Sequence, residues 1–139
     1  MILKPRKKTM FRNEDKLIVE ADGTIRLCDH NFELLAKKEP DTLIDMLDGM
    51  GSGDLTFALE ELGKFQPISK VGEILLGYMD SLDPLVREGA MLGLAVHKRA
   101  SGMREHFVNR LEVEISLALR ELLSDIISEI DDEEVDNAV

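Results

Sequence analysis

The sequence predicts a mainly α fold, in which antiparallel helical hairpins stack behind a small N-terminal β-hairpin and end in a long C-terminal helix. The chain has 139 residues, an aromatic share of 4% and no Trp. Its core must therefore be built from Leu, Ile, Val and Met, and these residues recur mostly at helical spacing. At this length, one domain is expected to bury a core without disulfides or a structural metal.

The N-terminal region divides into an arm and a predicted hairpin. Residues 1–15 are polar, basic and without periodicity, so they are expected to form a flexible arm. The next segment, KLIVEADGTIRLC (residues 16–28), places β-branched residues on both sides of an Asp-Gly pair that favours a tight turn. We expect a β-hairpin here, at the start of a single helical domain over residues 16–130, with residues 131–139 as an acidic tail.

The helical pattern begins with two short segments that Pro40 separates, and Asp41 is placed to cap the second. Residues 49–53 are rich in glycine and predict a connector, after which Asp54 is the next natural cap. Four further helices are predicted, with the approximate bounds 55–64, 68–80, 84–99 and 103–130.

The most informative segment is DPLVREGAMLGL (residues 83–94). Its aspartate can cap a helix and its proline can open one, while Val86, Ala90 and Leu94 recur every four residues along one stripe. This segment resembles the first helix of a HEAT repeat, whose pattern is Asp-Pro, a Val-Arg pair, and then Ala and Leu at four-residue spacing.

A shift of 32 residues aligns Ala58 with Ala90 and Leu62 with Leu94, so a degenerate copy precedes the better repeat. The resemblance covers about residues 54–112, and HEAT-like helices are expected over 54–130. In HEAT proteins the arginine at the place of Arg87 commonly joins a polar ladder between repeats, so the resemblance implies a structural role for it. It also implies scaffold or adaptor work, because stacked helix pairs expose extended faces.

The formal net charge of −11 is unevenly distributed. The first sixteen residues hold six basic and two acidic side chains, whereas the stretch from Glu121 to the end holds eight acidic ones and no Lys or Arg. A domain with this negative charge is not expected to bind nucleic acid, and it favours a partner protein with a basic surface. The single Cys and the lack of a long apolar run predict a cytoplasmic protein that neither enters a membrane nor carries a signal peptide.

The last predicted helix combines a broad apolar face with acidic side chains. About 27 residues would extend roughly 40 Å, farther than one neighbouring hairpin can cover. Its distal apolar stripe then packs on a second copy or a partner, or else the helix breaks or folds back on the N-terminal hairpin; both alternatives stay open. The residues predicted to bind a partner, or a second copy in a homodimer, are Glu112, Glu121, Leu122, Leu123, Asp125, Ile126, Ile127 and Glu129.

No catalytic, cofactor or metal site is predicted. Acidic pairs such as Glu112 and Glu114 are interpreted as solvated side chains on a polar helix face. The expected function is a non-catalytic, adaptor-type module that binds a partner protein through an acidic helical surface. Two alternatives remain. One is a small acidic inhibitor or immunity-type protein that mimics nucleic acid and blocks a nucleic-acid-binding enzyme, and the other is a HEAT-like nucleic-acid-binding protein.

Overall fold

The computed structural model describes the backbone of residues 18–19, 25–26 and 29–138, and the side chains of residues 32–133. This part of the chain is almost entirely helical, so the predicted mainly α class is confirmed. The predicted arm, residues 1–15, lies outside it. The helices are α1 (Asp29–Lys38), α2 (Pro40–Met46), a 3₁₀ turn (Leu47–Gly49), α3 (Ser52–Phe65), α4 (Ile68–Tyr78), α5 (Pro84–Ala95), α6 (Met103–Val113) and α7 (Leu117–Ala138).

The predicted β-hairpin over residues 16–28 is wrong as an element of this fold. Extended backbone is described there only for β1 (Ile18–Val19) and β2 (Ile25–Arg26), which pair antiparallel over two residue pairs. A ladder this short is not stable by itself in water, because it forms too few hydrogen bonds and buries too little surface. Helix α1 begins at Asp29, and the described architecture is built from helices.

Helices α3 and α5 lie side by side and run in the same direction. Ser52 Oγ donates to the Asp83 carboxylate, so the first turn of α3 lies beside the residue before α5. His97 Nε2 lies 2.8 Å from the Gly63 carbonyl oxygen, which joins the far ends of the same two helices. These contacts link residues that are 31 and 34 positions apart in the chain. Both separations are close to the shift of 32 residues that aligns the two repeat copies in the sequence.

The contact between α3 and α5 is close because glycines line it. A Cβ on Gly63 would overlap the backbone of Gly93, and one on Gly89 would overlap Thr56. Backbones that approach this closely exclude any larger side chain. The predicted apolar stripe is confirmed to be buried here, since Val86, Ala90 and Leu94 all lie in the core.

The long C-terminal helix predicted over residues 103–130 is wrong, because it breaks at residues 114–116. Glu114 is extended, with ψ at 127°. The backbone N–H of Ser116 donates to the Glu114 carboxylate at 3.0 Å, and the Ser116 carbonyl accepts the first helical hydrogen bond of α7, from the N–H of Arg120. The Arg120 guanidinium in turn donates to the carbonyls of Leu111 and Glu114. These side chains bond to backbone N–H and carbonyl groups that the break leaves without a helical partner.

The segment predicted as an acidic tail, residues 131–139, is helical as far as Ala138, where α7 ends. Acidic side chains at a helix C-terminus oppose its dipole. Here two arginines offset that cost, since Arg104 donates to Asp131 through two nitrogens and Arg99 donates to Glu133.

Two predicted caps are wrong in detail. Helix α2 begins at Pro40, so Asp41 lies in its first turn instead of capping it. Helix α3 begins at Ser52, which places Asp54 and part of the predicted glycine connector inside the helix. Proline fits the first helical position because its fixed φ is helical and its missing N–H has no partner there.

Candidate protein-binding surfaces

The structure divides the eight residues predicted to bind a partner between the surface and the core. The four acidic ones, Glu112, Glu121, Asp125 and Glu129, are exposed. Leu122 and Ile127 are half-buried, while Leu123 and Ile126 are buried in the chain's own core. The prediction that these last two offer a self-association surface is therefore corrected. The break before α7 lets this helix pack back on α5 and α6, which covers its apolar side.

What remains exposed on α7 is a polar face with an acidic row. Glu121, Asp125 and Glu129 follow one another at four-residue spacing, and Ser124 and Ser128 lie between them. Of the three carboxylates, that of Glu129 has a cation nearby, the Lys98 ammonium at 3.7 Å. From Glu121 to Glu129 this row supplies charge, and the exposed apolar side chain of Leu117 lies one turn before it.

A second acidic surface is an open groove between α2 and α4, with a volume of about 560 Å³. Two contacts show that the helices lie side by side in the same direction: Lys70 Nζ to Asp41 Oδ1 at 3.2 Å, and Tyr78 Oη to Asp48 Oδ1 at 3.4 Å. The lining combines apolar groups with three carboxylates. It is formed by Ile44, Asp45, Leu47, Asp48, Glu73, Ile74, Gly77 and Tyr78.

The groove is negatively charged. Asp45 and Glu73 are exposed, and neither carboxylate makes an ion pair or hydrogen bond with any described residue. Asp48 accepts a hydrogen bond from the Tyr78 hydroxyl. Partial burial raises the pKa of Tyr78, and the charge and hydrogen bond of Asp48 raise that pKa further. The phenol therefore stays neutral at ordinary pH, and the three carboxylates face an incoming ligand without a competing cation from the groove lining.

Sequence reasoning missed this groove because its two sides come from segments that are about 30 residues apart. One local signal was available, since Asp41, Asp45 and Asp48 follow helical spacing along one face of α2 and its 3₁₀ extension. That pattern predicts an acidic stripe. It does not predict that α4 lies beside the stripe and adds Glu73 and an apolar floor.

A third polar cluster is buried, and it centres on Glu114. The interpretation of Glu112 and Glu114 as a solvated pair is wrong for Glu114, which is 2% exposed. Its carboxylate accepts hydrogen bonds from Arg87, from the N–H of Ser116 and, at 3.3 Å, from Arg110. Burial alone would raise the pKa of Glu114, but these donors and the two positive charges outweigh it and lower that pKa. Each oxygen of this carboxylate thus accepts two hydrogen bonds, and the carboxylate offers no vacant position to a substrate.

Beside this cluster, several apolar side chains are exposed at the chain reversals. Leu82 lies between α4 and α5, and Val113, Ile115 and Leu117 surround the break between α6 and α7. Arg87 bonds both to the Ser81 carbonyl and to Glu114, so the two reversals lie at the same edge of the stack.

Within the described side chains, His, Cys, Asp and Glu do not gather in any group of three or more that suits a metal ion. Among the described helices, none combines the length and the apolar character that a membrane crossing requires. No protein-family model matches the chain, and comparison with curated proteins and with solved structures finds no significant match.

Proposed function

We propose that this protein is a non-catalytic, adaptor-type module with HEAT-like stacked helices, which binds a basic, amphipathic segment of a partner protein in the groove between α2 and α4. The observation that carries the proposal is the composition of that groove. Ile44, Ile74 and Tyr78 offer apolar area to a partner. Around them, Asp45, Asp48 and Glu73 offer three exposed carboxylates.

This combination matches a defined kind of ligand. Apolar area supplies most of the binding free energy in protein interfaces, and complementary charges supply orientation and rapid association. A helix or extended peptide with Lys or Arg beside Leu or Phe provides both. The acidic row of α7 is the weaker candidate surface, because Leu123 and Ile126 beside it are buried in the core.

The proposal is tested with a probe of matching chemistry. A fluorescein-labelled amphipathic peptide of Lys and Leu is titrated with the whole chain, and binding is followed by fluorescence anisotropy. We expect saturable binding that weakens with salt. Replacing both Asp45→Asn and Glu73→Gln should raise the Kd about five- to ten-fold, since two favourable charge contacts are lost.

The matched control replaces two carboxylates of the α7 row, Glu121→Gln and Asp125→Asn. It changes the net charge by the same amount and should leave the Kd within about two-fold of the unmodified chain. Equal weakening by both variants would reduce the groove to one part of a general acidic surface and contradict the proposal.

A second candidate function is the acidic inhibitor that mimics nucleic acid. It is favoured by the α7 row, where carboxylates four residues apart are separated by about 6 Å along the helix axis. The same titration distinguishes the two, because weakening by the α7 variant alone would favour this candidate. The nucleic-acid-binding alternative predicts binding to a labelled DNA duplex at low salt, and the absence of such binding would remove it.

A further inference from the structure

The N-terminal arm and the groove between α2 and α4 have complementary chemistry. Residues 1–12 read MILKPRKKTMFR, which combines five cations with apolar side chains. The groove presents the opposite charge, with Asp45, Asp48 and Glu73, beside an apolar floor. Of the two acidic surfaces in the described part of the chain, the α7 row has one exposed apolar side chain at its start, Leu117, whereas the groove places Ile44, Ile74 and Tyr78 among its carboxylates. An arm that carries both Lys-Arg clusters and a Met-Phe pair therefore matches the groove better.

The arm is also long enough to reach the groove. Sixteen residues separate Arg12 from Asp29, where α1 begins. Because Ile18 pairs with Arg26, the path from Asp29 to Arg12 crosses the ladder between β1 and β2, and with the rest of the segment extended it spans up to roughly 35 Å. Helix α1 has ten residues, about 15 Å, and α2, which contacts it, follows after the single residue Glu39. Groove residues 44–48 thus lie within the reach of the arm.

We infer that residues 1–12 of this chain occupy the groove between α2 and α4 in the absence of a partner, and that a partner must displace them. The inference rests on the proposed function for the identity of the site. Tethering gives the arm an effective concentration in the millimolar range, so even a contact of millimolar affinity fills the groove for much of the time. The arm then lowers the apparent affinity for competing basic segments and restricts the groove to ligands that bind more tightly than it does.

The experiment places a nitroxide spin label on the arm of the full chain, at Thr9→Cys in a Cys28→Ser background. Thr9 is uncharged, so the cations of the arm are retained. We expect selective loss of amide NMR signal intensity for residues 44–48 and 73–78. Charge reversal in the groove, Asp45→Lys with Glu73→Lys, should restore those intensities, whereas the same reversal on α7, Glu121→Lys with Asp125→Lys, should leave the loss unchanged.

Signal loss centred on residues 121–129, or spread evenly over the chain, would overturn the inference. Circular dichroism and the dispersion of amide signals check that each variant is folded. The Thr9→Cys label itself is read against its reduced, diamagnetic form in the same sample, so a variant with altered shifts still gives a valid intensity ratio.

A second measurement separates this inference from the proposed function. With Lys7→Glu and Lys8→Glu in the arm, the labelled Lys-Leu peptide should bind at least about three-fold more tightly, because its competitor is removed. If the spin label marks the groove but the peptide fails to bind even to this variant, the proposed function is wrong and the arm contact stands. If the peptide binds the groove and the spin label marks nothing there, the arm contact is wrong and the proposed function stands.

Discussion

Arg87 and Glu114 form a two-bond ion pair inside the protein, with an Nε to Oε1 distance of 2.9 Å and an Nη2 to Oε2 distance of 2.8 Å. The side chains are 6% and 0% exposed. Arg87 lies on α5, whereas Glu114 lies 27 residues later, where α6 ends. The acceptor of Arg87 is thus Glu114, the residue at which the predicted C-terminal helix breaks. The ion pair therefore fixes the position of that break.

Removing the charge of Glu114 should strongly destabilise the fold. Glu114→Gln leaves the Arg87 guanidinium buried without its anion, and breaking a buried pair in this way costs about 3 to 5 kcal/mol. Urea denaturation measures the loss. Glu112→Gln, at an exposed position two residues away, is the control and should change the free energy of unfolding by less than about 0.5 kcal/mol. Similar effects of the two substitutions would contradict the structural role of the pair.

The same pair predicts a pH dependence. The pKa of Glu114 is lowered in the folded protein, since Arg87, Ser116 and Arg110 outweigh the effect of burial. Its contribution to stability is therefore present above the unfolded glutamate pKa of about 4.3 and is lost as the pH falls through the lower, folded value. The difference in urea midpoint between the unmodified protein and Glu114→Gln should stay constant from pH 7 to about pH 5 and shrink below that. A difference that disappears above pH 5 would contradict this assignment.

High salt should loosen the distal half of α7 and speed its amide hydrogen exchange. Hydrogen bonds from Arg104 and Arg99 lower the pKa values of Asp131 and Glu133, and these exposed pairs hold the end of α7 against the corner between α5 and α6. At 1 M salt the Debye length falls to about 3 Å, so the pairs are screened. Amide exchange of residues 128–133 should become several-fold faster, while α3 is unaffected. Arg104→Gln should already exchange rapidly and respond less to salt.

Glycine substitutions should separate close helix contact from helix propensity. Gly63→Ala puts a Cβ into the backbone of Gly93, so α3 and α5 must move apart, at a cost of about 1 to 3 kcal/mol or more. At Gly77 on α4 a Cβ meets no atom within 4 Å. Gly77→Ala should therefore stabilise the protein by up to about 1 kcal/mol. Thermal unfolding of both variants measures the contrast, and equal melting temperatures would argue against the close crossing.

His97 should stabilise the fold, because it bonds to a backbone carbonyl whose usual helical donor is missing at a proline. The helical partner of the Gly63 carbonyl would be the N–H of residue 67, which is Pro67, and His97 Nε2 fills that place at 2.8 Å. His97→Ala should cost about 1 to 3 kcal/mol, the cost of an unsatisfied buried acceptor. The exposed His106 provides the control, and His106→Ala should have little effect on the urea midpoint. A neutral result for His97→Ala would mean that water satisfies the carbonyl instead.

The same arrangement occurs at Pro40. Together the two prolines show how much of the structure local sequence can predict. The helical donor to the Ala36 carbonyl would be residue 40, and the side chain of Gln66 donates to that carbonyl instead. From the sequence, each proline predicts a helix boundary and an unpaired carbonyl. Which side chain fills the gap depends on a neighbour 30 or 34 residues away, and local patterns carry no information about that.

The candidate site was predictable to a similar extent. The acidic character of the surface follows from composition, and the four acidic residues predicted to face a partner are exposed. The apolar residues beside them could not be assigned, because an amphipathic stripe looks the same whether it packs on its own chain or on another. In this fold the break at Glu114 turns α7 back, and its own core takes Leu123 and Ile126.

By itself, the sequence determined the helical class, the buried stripe of Val86, Ala90 and Leu94, and the start of α5 at Asp83 and Pro84, since all of these depend on backbone preferences and periodicity within one or two turns. Only the tertiary structure decided where the last helix breaks, what Arg87 binds, and that α2 and α4 enclose an acidic groove. Those features depend on through-space contacts about one helical hairpin apart, where close packing and the need to pair a buried charge outweigh local preference.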